Sequence, residues 1–254
     1  MSGILDRFRL DERVVVVTGA SSGLGAATAV AAAQAGAHVV LGARRVEELR
    51  GTAALVEAIA RKALVVATDV TQVEDCRHLV RQAVDAFGRV DGLVNSAGMA
   101  TAVPALRETP SEFRAVVELN LMGSYWMAQA AAEAMTAGGS IVNVSSILGL
   151  ASAELPQAAY ASSKAGVLGL TRDLAAQWSA RKSIRVNALA PGFFESEMTD
   201  LCPPGYLETL ASRTPLGRIG GPDEIAAAAV FLLSDASSFM TGATLVVDGG
   251  LTVA

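Results

Sequence analysis

The stretch that decides the fold is Val14-Val15-Val16-Val17-Thr18-Gly19-Ala20-Ser21-Ser22-Gly23-Leu24-Gly25. Its first five residues are all β-branched, which suits a strand. Four in a row are apolar, so both faces of that strand are expected to be buried, as in a parallel sheet covered on both sides. Glycines then break the run, and the alanine-rich stretch Ala26–Ala35 reads as a helix stopped by Gly36.

Outward from this unit, strand and helix patterns alternate. Val39–Gly42, Leu64–Thr68, Gly92–Asn95, Ser140–Val144, Ile184–Ala190 and Leu245–Asp248 read as six more strands. Val46–Ala60, Val73–Phe87, Ser111–Met135, Ala159–Arg181 and Pro222–Leu233 read as helices between them. Such alternation predicts an α/β protein with a seven-stranded parallel sheet and helices on both faces. No linker or composition shift divides the chain, so one domain over 1–254 is expected. Phe193–Gly221 is the least regular stretch; it is long for a loop, so it is expected to be functional or locally helical.

Composition narrows the function. Of 254 residues, 52% are apolar and 18% charged, enough to fill a core. A net charge of -5 gives no electrostatic case for nucleic acid. No apolar run nears the ~18 residues of a membrane span, and the N-terminus MSGILDRFRLDER has no signal-peptide pattern. The expectation is a cytoplasmic protein without membrane or nucleic-acid partners. Cys76 and Cys202 read as free thiols, and His38 and His78 form no metal-ligand pattern, so no metal site is expected.

The glycine turn has a chemical reading. Gly19 can take a tight turn without a Cβ penalty. Gly23 lets the backbone approach a pyrophosphate, and Gly25 lets the helix pack close to the strand. The helix N-terminus offers N–H groups and partial positive charge to phosphates. Alone, the turn also fits an ordinary strand-to-helix connection.

The spacing Thr18-Gly19-x-x-x-Gly23-x-Gly25 resembles the glycine pattern of the classical short-chain dehydrogenase/reductase family. So do Asn95-Ser96-Ala97-Gly98, Asn120, Ser146, Tyr160-Ala161-Ser162-Ser163-Lys164 and Pro191-Gly192, in the family's order. The resemblance runs from about Leu10 to Gly250. It implies a Rossmann-type doubly wound fold and an NAD(P)-dependent oxidoreductase acting on a small-molecule carbonyl or secondary alcohol. The implied cofactor-binding set is Gly19, Ser21, Ser22, Gly23, Leu24, Gly25, Arg44, Arg45, Asp69, Val70, Asn95, Ala97, Gly98, Tyr160, Lys164, Pro191, Gly192, Phe194 and Ser196. Asp69 matches the adenine-binding position, although it also suits a cap for the helix after it. The backbone at Phe194 and the Ser196 hydroxyl match the nicotinamide carboxamide position.

An acidic residue about twenty positions past such a turn commonly holds the ribose of NAD. Here Ala43 stands there, followed by Arg44 and Arg45. Their forked donors suit a 2′-phosphate, so NADP(H) is favoured, with NAD(H) possible. The other reading is a solvated pair opening a helix, with Glu47 and Glu48 as partners. Ser22 stands where many NADP-preferring members carry a basic residue.

Tyr160 and Lys164 are four apart in a helical stretch and share a face. A free phenol has a pKa near ~10, and an ammonium at ~4 Å is expected to pull it down toward about 7. Ser146 is expected to steady the substrate oxygen, with Ser145 the competing serine. Ser146 to Tyr160 is one residue longer than the family's usual spacing, which places an insertion in the loop Leu150–Gln157. Asn120 matches the family's helix-bending asparagine, whose carbonyl is expected to hold a water behind Lys164. Met198, Leu201, Tyr206 and Leu207 suit either an apolar substrate wall or the packing of a loop helix.

The catalytic set is therefore Asn120, Ser146, Tyr160 and Lys164, and the substrate is expected to be small and partly apolar. A 3-oxoacyl-(acyl-carrier-protein) reductase shares these motifs, and Arg172 is a candidate for meeting an acidic carrier. A non-catalytic dinucleotide-binding regulator is the rival of another class; it would be marked by loss of Tyr160 or Lys164, and both are present. Family members commonly assemble as homo-oligomers, so a tetramer or dimer is expected.

Overall fold

A computed structural model describes residues 3–152, 155–195 and 205–253. Seven parallel strands form one sheet: β1 (Val14–Thr18), β2 (His38–Ala43), β3 (Ala63–Ala67), β4 (Gly92–Asn95), β5 (Gly139–Val144), β6 (Ile184–Pro191) and β7 (Thr244–Val247). Their order is β3-β2-β1-β4-β5-β6-β7. The order reverses between β1 and β4, where Thr18 pairs with Asn95. Open sheets of this kind bind ligands at that point, outside the carboxyl ends of the strands.

The helices are α1 (Gly23–Gln34), α2 (Val46–Glu57), α3 (Val73–Phe87), α4 (Pro110–Val117), α5 (Gly123–Ala134), α6 (Ala158–Lys182), α7 (Tyr206–Arg213) and α8 (Pro222–Leu233). The valine run of β1 explains their division. Successive strand side chains point to opposite faces. Val14 and Val16 join Leu79 of α3, Met127 of α5 and Leu174 of α6. Val15 and Val17 join Ala32 of α1, Leu49 of α2 and Leu232 of α8. A strand flanked by two cores has no polar face, so the apolar run needs no alternation.

Local chemistry sets the helix ends. Thr109 and Glu112 form a reciprocal capping box at the start of α4, with Pro110 at its first position. Gly88 ends α3 at φ 77°, its N–H donating to the Val84 carbonyl.

One expectation needs correction, and one is met. The helix expected over Ser111–Met135 is interrupted: α4 gives way to a π turn over Glu118–Met122 before α5 begins. Asn120 lies in that turn, where long-range bonds fix its side chain. The irregular stretch before α8 contains the helix α7, whose Leu210 is buried. Met198, Leu201 and Cys202 lie outside the described residues, as does Ser196.

Candidate active site

A cleft of about 630 Å³ opens along the carboxyl ends of the strands. The turn after β1 forms its floor. Gly19 has φ 67° and donates to the Gly42 carbonyl at 2.8 Å. A Cβ there would lie 2.7 Å from the Ala97 nitrogen, so the turn closes against the loop after β4 only with glycine. Thr18 ties the same two segments: its hydroxyl accepts from the N–H groups of Ser96 and Ala97, both at 3.2 Å. A Cβ on Gly25 would run into the Gly19 carbonyl oxygen, so close packing of α1 on the turn also needs glycine.

Ser22 is the N-cap of α1, but its side chain makes no capping bond. It accepts instead from the Arg45 guanidinium at 2.7 Å, and Ser21 accepts from the same nitrogen at 3.2 Å. Arg45 thus crosses from the end of β2 to the glycine turn. Arg44 stands beside it, exposed on the cleft wall. Glu47 pairs with Arg50 in the next turn of helix. Asp69 lines the cleft after β3; its carboxylate accepts from the Thr71 N–H at 3.0 Å and hydroxyl at 2.8 Å. That fixes a turn just ahead of α3 rather than capping the helix itself, whose N-cap is Gln72. Val70, Ala97, Gly98, Pro191, Gly192 and Phe194 also line the cleft.

Asn95 and Asn120 stand behind the wall. Asn95 is buried and donates to the Ser124 carbonyl at 3.0 Å and to Asn143 at 2.9 Å. The Asn120 amide accepts from the Met99 N–H and donates to the Met99 carbonyl, both at 2.9 Å, and donates to Ser163 at 3.0 Å. Its backbone carbonyl accepts from the Ser124 hydroxyl at 2.7 Å. Ser163 in turn donates to the Tyr160 carbonyl at 2.7 Å. Asn120 therefore joins the loop after β4 to the first turns of α6.

The two serines after β5 part company. Ser145 is buried and donates to the Lys164 carbonyl at 2.8 Å, anchoring α6. Ser146 lines the cleft, accepts from the Leu148 N–H at 3.1 Å and hydrogen-bonds the Tyr160 phenol. Lys164 is 5% exposed, and its ammonium donates to the Val144 carbonyl at 2.8 Å. Its Nζ lies 5.6 Å from the centre of the Tyr160 ring. A Cβ on Gly98 would come within 3.5 Å of that nitrogen, so glycine keeps the way from cleft to lysine open.

Electrostatics here differ from the sequence expectation. Burial pushes the Tyr160 phenol up, and the bond from Ser146 only partly opposes it. Burial also pulls Lys164 down to about 8. In the protein alone the phenol is thus shifted away from neutrality rather than toward it. Both groups leave water, which disfavours the charge of each, and the ammonium spends a bond on Val144 rather than meeting the phenol oxygen. As it stands, the pair keeps the phenol protonated, a proton donor.

Sequence reasoning missed Thr101 and Leu148, which line the cleft, and gave no role to Thr18 or to Phe193, which also lines it. Gln157, noted only as the end of a loop, lines it too; its position three residues before Tyr160 was the available signal. None of the described residues of 205–216 lines the cleft; Tyr206 reaches it through an edge contact with Phe193, ring centres 6.0 Å apart. Among the described residues no cluster of His, Cys, Asp or Glu suits a metal, and no helix is long and apolar enough to cross a membrane.

Comparison with known proteins shows what the chain is similar to. The family described as Enoyl-(Acyl carrier protein) reductase matches residues 19–252. A 3-oxoacyl-(acyl-carrier-protein) reductase of Thermotoga maritima is 40% identical over 96% of this chain and 100% of that protein. Galactitol 2-dehydrogenase (L-tagatose-forming) of Cereibacter sphaeroides is 43% identical over 97% of each. The structure of a gluconate 5-dehydrogenase from Burkholderia cenocepacia, in complex with NADP and tartrate, superposes with a TM-score of 0.93. It is 37% identical, covering 99% of this chain and 100% of that one.

Proposed function

The chain belongs to the short-chain dehydrogenase/reductase family and is an NAD(P)-dependent oxidoreductase, and on that premise we propose that it moves a hydride between NADP(H) and a small, partly apolar carbonyl compound or secondary alcohol. The observation that carries this reading is that, on the wall of one cleft, Ser146 hydrogen-bonds the Tyr160 phenol and the Lys164 ammonium lies 5.6 Å from the Tyr160 ring centre.

The residues present fit a dinucleotide. The turn needs glycine at Gly19 and Gly25 for reasons of space, and α1 opens toward the cleft without a side-chain cap. Phosphates suit the N–H groups of such a helix start. NADP(H) is favoured over NAD(H) because Ala43 offers no carboxylate to a ribose hydroxyl and two arginines follow it. Arg45 adds a point the sequence left open: by bonding Ser22, it brings positive charge to the place where many NADP-preferring members of the family carry a basic side chain. Asp69 is assigned to the adenine, and the backbone from Pro191 to Phe194 to the nicotinamide side.

Reduced nicotinamide, when bound, supplies the hydride for the carbonyl carbon. Tyr160 gives its phenolic proton to the carbonyl oxygen as that oxygen gains charge. Ser146 donates a hydrogen bond to the same oxygen, where it is worth more in the transition state than in the ground state. Lys164, with a pKa of about 8, is mostly protonated at neutral pH and is the proton store nearest the phenol. Asn120 is a positioning residue that holds the start of α6 and the loop before it. Overall, one carbonyl, one reduced dinucleotide and one proton give one alcohol and one oxidised dinucleotide; the alcohol direction runs the same steps backward.

A 3-oxoacyl-(acyl-carrier-protein) reductase is the second reading, favoured by the Thermotoga maritima relative. Arg172 is exposed on α6, but a single arginine is no patch for an acidic carrier. The purified chain, given NADPH or NADH with a panel of ketones, alcohols and 3-oxoacyl thioesters, tests both readings through absorbance of the reduced nicotinamide. Turnover of small ketones supports the first reading, turnover of thioesters alone the second, and absence of any turnover overturns both.

A further inference from the structure

Besides Tyr160, the cleft is lined by Thr101, Ala102, Leu148, Leu155, Gln157 and Phe193. Two polar atoms there have no hydrogen-bond partner among the described residues, although solvent does not reach them: Gln157 Oε1 and Thr101 Oγ1. Folded proteins pair nearly all buried polar atoms. An exception on the wall of a ligand cleft marks a place where the ligand supplies the partner.

Gln157 is the N-cap residue of α6, yet its side chain makes no capping bond. Its amide is therefore not used to build the helix. It precedes Tyr160 by three residues at the start of α6, and both line the same cleft. A carbonyl held by Tyr160 and Ser146 brings the substituents of its adjacent carbon toward Gln157. Charge does not explain the open acceptor. Among the described lining residues, Arg44, Arg45 and Asp69 stand at the glycine-turn end, and Lys164 is engaged with Val144. The missing partner is a neutral donor in a mostly apolar enclosure.

We propose that Gln157 is a specificity residue that accepts a hydrogen bond from a hydroxyl on the carbon next to the reacting one. The preferred substrates are then α-hydroxyketones and the vicinal diols they form. Thr101, whose hydroxyl can donate or accept, offers a second contact to a hydroxylated substrate. The inference rests on the oxidoreductase reading above and narrows its substrate class.

The test compares hydroxyacetone with butanone, which replaces the hydroxyl by a methyl group of similar size. With NADPH and the full chain, kcat/KM is expected to favour hydroxyacetone by about 10-fold or more, the scale of one buried hydrogen bond left unmet. Gln157→Leu is expected to bring the ratio of the two kcat/KM values toward one, whereas a merely structural role for Gln157 would lower both and keep their ratio. Gln157→Glu, which keeps an acceptor oxygen, is expected to retain the preference. Equal kcat/KM for the two ketones in the unaltered protein, or a preference that survives Gln157→Leu, overturns the inference. If Gln157→Leu does not fold, Gln157→Met, which also lacks the acceptor oxygen, takes its place. Turnover of butanone without an advantage for hydroxyacetone overturns the inference alone, whereas failure to reduce any carbonyl compound overturns the oxidoreductase reading and the inference with it.

Discussion

The Ser145 hydroxyl donates to the Lys164 carbonyl oxygen at 2.8 Å, and that bond separates two serines that the sequence left as rivals. Ser145 is committed to holding α6, while Ser146 faces the cleft and the Tyr160 phenol. Ser146→Ala is expected to lower kcat by about 100-fold or more, the usual loss when a donor to a developing oxyanion is removed. Ser145→Ala is expected to lower stability by about 1–2 kcal/mol, because a buried carbonyl loses its donor, with a far smaller effect on kcat. Steady-state rates and denaturant melts of both variants check the division of labour; equal loss of kcat in the two would reject it.

The bond from Arg45 to Ser22 leads to a cofactor prediction. Arg44→Ala and Arg45→Ala are each expected to weaken NADPH binding by about 10-fold or more, the value of a charge-assisted bond to phosphate. NADH, which has no 2′-phosphate, is expected to change little. Fluorescence titration of both dinucleotides measures the ratio, and equal loss for the two removes the arginines from the phosphate site.

Burial of Lys164 makes stability depend on pH. Its folded pKa, about 8, lies below the ordinary lysine value. The unfolded chain therefore holds more protons between about pH 8 and pH 10.4, and stability rises with pH across that window. Lys164→Met removes this dependence. The stability of the unaltered protein relative to Lys164→Met is expected to improve by about 2 kcal/mol between roughly pH 7 and pH 10. Urea melts across this range are the measurement; a gap that does not change with pH would show that the lysine is not held against its charge.

The raised phenol gives the pH–rate profile a direction. Carbonyl reduction needs the protonated phenol, so kcat/KM for reduction is expected to be level near neutrality and to fall on the alkaline side. Alcohol oxidation needs the phenolate and is expected to rise over the same range. Profiles measured in both directions should cross, and a reduction rate that climbs with pH would contradict the assignment of Tyr160 as donor.

Much of this was legible in the sequence because it depends on local pattern. The valine run of β1 announces a strand buried on both faces, and α3 and β4 occupy the expected residues. The glycine turn is legible because Gly19 needs a positive φ and Gly25 a missing Cβ. What was not legible depends on contacts between distant segments. The resemblance marked Asn120 as helix-bending, but the bonds from Asn120 to Met99 and Ser163, 21 and 43 residues away, that accompany the π turn at Glu118–Met122 are encoded by no helical period. The Tyr160–Lys164 spacing placed both groups on one face of a helix. It did not show that the ammonium would turn to Val144 or that burial would govern both pKa values. The reach of Arg45 to Ser22 was likewise hidden, because it spans 23 residues and two strand ends.

The central claim is that the Tyr160 phenol carries the proton of the reaction. Tyr160→Phe removes one hydroxyl and keeps the ring against Lys164, so the most direct test measures dinucleotide affinity and turnover of this variant on one substrate. The account predicts NADPH binding within a few-fold of the unaltered protein and a kcat lower by about 1000-fold, within the range of a lost general acid. A near-normal rate with intact binding would contradict it.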